Sequence, residues 1–95
     1  MSETIDARFF DFSFQVLNYA IEFIKSPGYS SLRFTDVLEK TVNLALQLEG
    51  IENKTFYEAL KEKFKDRRVM SDPKTREELL NELLTMFIEE WRKQS

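Results

Sequence analysis

Arg8-Phe9-Phe10-Asp11-Phe12-Ser13-Phe14-Gln15-Val16-Leu17-Asn18-Tyr19-Ala20-Ile21-Glu22-Phe23-Ile24 carries two interleaved helical rows of apolar side chains. At about 100° per residue, Phe10, Phe14, Leu17, Ile21 and Ile24 form one row. Phe9, Phe12, Val16, Tyr19 and Phe23 form a second, roughly 150° away. A surface helix needs one such row, so this helix must cover more than half its girth. The first row joins the domain core. The second is covered either by the rest of this chain, with the helix held centrally between the second and fourth helices, or by another polypeptide. The simplest such partner is the same helix of a second copy about a two-fold axis. Phe9, Phe12, Val16, Tyr19 and Phe23 are therefore the candidate partner interface.

Outward from that stretch, the chain is punctuated by only two Gly and two Pro, each where a helix should stop or start. Ser2 or Thr4 can cap the first helix, with Glu3 and Asp6 near its positive end. Ser26-Pro27-Gly28 should close it. Ser30 or Ser31 opens a second helix with an apolar stripe of Leu32, Phe34, Val37, Leu38, Thr41, Leu44, Ala45 and Leu48, stopped by Gly50. Asn53 or Thr55 opens a third, Thr55 and Glu58 matching a capping box, with Phe56, Ala59, Leu60 and Phe64 inward and Tyr57 at the margin. Asp72-Pro73 starts the last, lined by Leu79, Leu80, Leu83, Leu84, Met86, Phe87, Ile88 and Trp91. No strand-like alternation occurs. The expectation is one all-α domain over 1–95, a compact antiparallel bundle of four helices at about 5–26, 31–49, 54–66 and 73–93.

Composition narrows the chemistry. Neither Cys nor His is present, which removes thiolate nucleophiles, disulfides, the commonest general base and the commonest transition-metal ligands. The cysteine-free chain suits a reducing cytosol, and no run approaches the ~20 apolar residues of a membrane span. Fourteen basic against seventeen acidic residues, net −3, disfavours a general nucleic-acid binder. Lys61, Lys63, Lys65, Arg67 and Arg68 are the densest basic stretch, diluted by Glu58, Glu62 and Asp66.

Glu49, Glu52, Glu77, Glu78, Glu82, Glu89 and Glu90 invite comparison with all-α nucleotide pyrophosphohydrolases, whose paired acidic motifs hold magnesium. Glu49 and Glu52 straddle a helix end, however, and Glu78, Glu82 and Glu89 lie opposite the apolar side of the last helix, a solvated placement. Asp11, Gln15, Asn18 and Glu22 form a polar strip read as a solvent-facing edge.

The aromatic first helix, Ser26-Pro27-Gly28-Tyr29, Leu32-Arg33 at the start of the second helix and Val69-Met70-Ser71-Asp72 before the last together resemble a family of small bacterial or archaeal helical domains of unknown function, over roughly positions 12 to 84. The resemblance implies a helical fold and no activity, so it carries over no functional residue. The functional expectation is a non-enzymatic protein–protein interaction or oligomerisation module, a homodimer or the partner of an unidentified protein, with no cofactor implied. The alternatives are a carboxylate-dependent magnesium or nucleotide enzyme and, third, a nucleic-acid accessory protein working through Lys61 to Arg68.

Overall fold

The structure, a computed structural model, describes residues 4–25 and 30–94. Four α-helices follow one another, α1 (Ile5–Glu22), α2 (Ser30–Gln47), α3 (Lys54–Lys63) and α4 (Pro73–Gln94), with a 3-10 turn at Arg67–Met70 between the last two. No strand occurs among the described residues. The all-α bundle expected from the periodicity is the observed fold.

Its boundaries differ from the expectation in ways that local chemistry explains. Thr4 caps α1, its hydroxyl accepting from the Ala7 amide at 3.0 Å. That helix closes at Glu22, four residues early, as the Phe23 and Ile24 amides turn in to the Tyr19 and Ile21 carbonyls. Ser2 and the Ser26-Pro27-Gly28 stop lie outside the described residues. At the end of α2, Gly50 takes φ +92°, and Lys54 reaches back to donate to the Ala45 and Leu48 carbonyls, both at 2.6 Å. Helix C-termini leave such carbonyls unpaired, and here an ammonium from the next helix satisfies two of them.

The Thr55–Glu58 capping box is not used. The N-cap of α3 is Asn53, whose side chain donates to the Glu90 carboxylate at 2.5 Å instead. Helix α3 ends at Lys63 rather than at 66, because Asp66 accepts from the Arg68 amide at 3.1 Å and caps the 3-10 turn. Arg76, only 8% exposed, holds that turn to α4, donating to the Val69 carbonyl at 2.9 Å and the Met70 carbonyl at 3.3 Å. Asp72 caps α4 as expected, accepting from the Lys74 amide at 3.3 Å and from the Thr75 hydroxyl at 2.5 Å.

Helices α1 and α2 run antiparallel as one layer. The Ser31 hydroxyl donates to the Ala20 carbonyl at 3.0 Å near one end, and Gly50 lies beside Ile5 at the other. The seam between them is lined by small, buried side chains: Ser13, Ala20, Ser31, Thr35, Thr41 and Ala45. Ser13, Thr35 and Thr41 each donate a hydroxyl to the carbonyl four residues back, at 2.8, 2.7 and 2.7 Å, so they enter the seam with their polarity satisfied.

The second layer, α3, the 3-10 turn and α4, covers one side of this hairpin. Phe10 and Phe14 of α1 meet Phe87 of α4, each at 5.3 Å between ring centres. Phe56 of α3 lies 5.7 Å from Phe10 and 5.0 Å from Phe87. Around these rings Leu17, Leu38, Leu60, Leu80 and Leu83 are sealed from water. Phe10 and Leu17 of the first α1 row are core, with Phe14, Ile21 and Ile24 packed against it.

Five placements depart from the sequence reading. Tyr57, expected at a margin, is 1% exposed beneath Phe9. Ala59 and Trp91, placed in apolar stripes, face solvent. Val37 and Leu44, read as inward on α2, are exposed, because the buried arc of that helix is centred on Leu38, and Val37 and Leu44 lie roughly 100° and 120° from it.

Candidate protein interface

Large apolar side chains belong in the interior unless something covers them, so those left open by this two-layer arrangement define the candidate site. Among the described residues they are Ile5 (61% exposed), Phe12 (54%), Tyr19 (40%), Val37 (42%), Leu44 (47%) and Trp91 (59%). All but Trp91 belong to α1 and α2, and helical geometry sends those five to one side.

On α1, Ile5, Phe12, Tyr19 and Phe23 fall within roughly 40° of one direction. On α2, the buried Leu38 and Val42 lie roughly 40° and 80° to one side of Phe34, and Val37 and Leu44 lie roughly 60° and 80° to the other. Phe34 fixes how the two helices relate. Its ring stacks on Phe23 at 5.7 Å with 14° between planes, and meets Tyr19 at 5.4 Å. The exposed row of α1 and the exposed flank of α2 therefore adjoin across the aromatic trio Tyr19, Phe23 and Phe34. They form one face of the hairpin, opposite the face that α3 and α4 cover.

The five residues of the expected interface divide across this face. Phe12 and Tyr19 are open. Phe23 is half-buried against Phe34, and Phe9 is half-buried, packing edge-on to Phe12 at 6.5 Å and to Tyr57 at 5.8 Å. Val16 is 6% exposed and belongs to the core. Phe34, Val37 and Leu44 were not part of the sequence reading of this site. The available signal was the width of the α2 apolar arc, which is broader than one packing face can absorb.

Polar groups frame the patch. Asp11, Gln15, Asn18 and Glu22 line the outer edge of α1, all exposed, as expected of a solvent-facing strip. The outer edge of α2 carries Arg33 and Lys40, the latter 2.5 Å from Asp36.

Other constellations offer less. Among the described residues, no group of three or more acidic side chains is arranged to hold a metal ion, and Glu78, Glu82 and Glu89 face solvent. In the basic stretch, Lys63 pairs with Glu82, Lys65 with Glu62 at 2.5 Å, Arg67 with Glu39 at 2.6 Å and Arg68 with Asp66 at 2.7 Å. Those hydrogen bonds to Arg68 pull the Asp66 carboxyl down to about 2. A phosphate backbone would compete with carboxylates already in place. No helix among the described residues is long and apolar enough to cross a membrane.

No family model matches the chain, and no curated protein or solved structure matches it either.

Proposed function

We propose that this protein is a non-enzymatic interaction module of the cytosol, working through the open face of the α1/α2 hairpin. The carrying observation is that five of the six exposed large apolar side chains among the described residues share that face. A two-layer domain normally turns only one face of each layer inward and leaves the other polar. Here the hairpin is apolar on both sides. Tyr19, Phe23 and Phe34 form a preassembled aromatic cluster, and aromatic side chains bury a large area while losing few rotamers, which suits them to anchor a contact.

Phe12→Asp and Leu44→Asp test the reading, one on each helix. Both sites are about half exposed, so each variant should keep its helical circular dichroism and lie within ~0.5 kcal/mol of the parent monomer in stability. Where the contact is with a second copy, light scattering should show parent particles larger than one chain at micromolar concentration and variant particles of one chain. Variants that assemble as the parent does would exclude this face as the contact, and variants that unfold would place Phe12 and Leu44 in the core.

A further inference from the structure

We infer that the occupant of this face is a second copy of the chain, seated with α1 of one protomer over α2 of the other about a two-fold axis parallel to the helices. The inference rests on the interaction-module reading and adds the partner and its orientation.

Area supports a symmetric pair. From Ile5 to Phe23 the face runs about 27 Å at 1.5 Å per residue, and two adjacent helices are roughly 20 Å wide. That is about 500 Å² in projection on each copy, or about 1,000 Å² for the pair before side-chain relief is added, which reaches the size of a specific interface. An isologous contact also needs a self-complementary patch. This one is an aromatic and aliphatic centre on both helices, so either helix can oppose either.

Charge selects the orientation. Beyond the apolar row, the outer edge of α1 carries Arg8, Asp11 and Glu22, and the outer edge of α2 carries Arg33 and Lys40, the latter paired with Asp36. The two outer edges of one protomer point away from each other, so Glu22 of one edge and Arg33 of the other meet across an interface rather than within a chain. Height along the bundle follows from the Ala20–Ser31 hydrogen bond and the Tyr19–Phe34 ring contact. It puts Glu22 near the level of Arg33, and Asp11 near the level of Lys40. A two-fold axis parallel to the helices brings α1 over the partner's α2 at unchanged height, with antiparallel neighbours. Glu22 then faces Arg33 of the other copy, twice by symmetry, and both aromatic trios meet at the same end. The alternative axis, perpendicular to the helices, stacks α1 on α1 in reverse and separates Glu22 from Arg33.

Charge reversal distinguishes these arrangements. Glu22→Arg alone and Arg33→Glu alone should each weaken self-association on the order of tenfold, because each sets like charges opposite one another at two symmetric places. The double variant should return to within about threefold of the parent, and an equimolar mixture of the two single variants should form the mixed dimer in preference to either homodimer. Analytical ultracentrifugation reads the first and native mass spectrometry the second, with circular dichroism confirming helicity throughout. A parent dimer that is broken by Leu44→Asp but shows neither rescue nor mixed-dimer preference would overturn the orientation and leave the interaction face standing. A parent that stays monomeric up to hundreds of micromolar would overturn the second copy as occupant.

Discussion

Single side chains in this protein are buried where their polarity can be satisfied locally and exposed where it cannot be covered. Ser13, Ser31, Thr35 and Thr41 are buried because each hydroxyl finds a nearby carbonyl. Tyr57 is the exception. Its hydroxyl is buried without a hydrogen-bond partner of proper geometry. Ser13 is near enough to draw its pKa down slightly, yet the Ser13 proton already goes to the Phe9 carbonyl. Burial, with smaller contributions from the Asp6 and Glu90 charges, pushes the phenol up to about 12 from 10.0.

The folded state thus holds the Tyr57 proton more tightly than the unfolded chain, and stability falls as pH climbs from about 10 through about 12. The rise corresponds to about 3 kcal/mol at full effect, with no penalty well below pH 10. Tyr57→Phe should lie within ~1 kcal/mol of the parent at pH 7, since it removes an unpaired group rather than a bond, and should lose less stability at pH 11. Urea titrations at the two pH values check this. An equal alkaline loss in both proteins would show that Tyr57 does not carry it.

Among the helices, the ends rather than the middles distinguish expectation from structure. Hydrophobic periodicity identifies each helix because any helix must bury a stripe, and all four appear where the stripes lie. Ends depend on which side chain reaches an unpaired amide or carbonyl. Lys54 at the end of α2 does so across a gap that no local pattern encodes, and Asp66 caps the 3-10 turn through the amide two residues on. Gly50 is an end that the pattern does reveal. Its φ of +92° is costly for any residue with a Cβ, whereas space is not limiting, because an added Cβ would sit 3.5 Å from the Ile5 side chain in ordinary contact. Gly50→Ala should therefore destabilise by about 1–2 kcal/mol through backbone strain alone. A thermal melt unchanged from the parent would mean that the turn relaxes to another conformation.

Across the whole molecule, the radius of gyration of 13.2 Å and extents of 41 × 24 × 19 Å describe a flattened rod two layers thick. Such a rod has little interior, and the open hairpin face is what a further layer would cover. If a second copy supplies it, folding and association are linked. The melting temperature of the parent should then rise with protein concentration, while that of Leu44→Asp stays flat. Calorimetry over a hundredfold concentration range checks this, and a parent curve independent of concentration would count against self-association. The order of the helices, their number, the first core row of α1, the Gly50 stop and the Asp72 cap were all legible in the residues, because 3.6-residue periodicity and capping chemistry act between neighbours in the chain. Which arc of α2 turns inward, that Val16 is core while Phe12 is not, and that Tyr19, Phe23 and Phe34 adjoin Val37 and Leu44 on one uncovered face were decided only by packing. The α1/α2 hairpin turns one flank of each helix, Phe10, Phe14 and Leu17 on α1 and Leu38 and Val42 on α2, toward α3 and α4 and leaves the other apolar flank outward, and that choice depends on contacts between residues far apart in sequence.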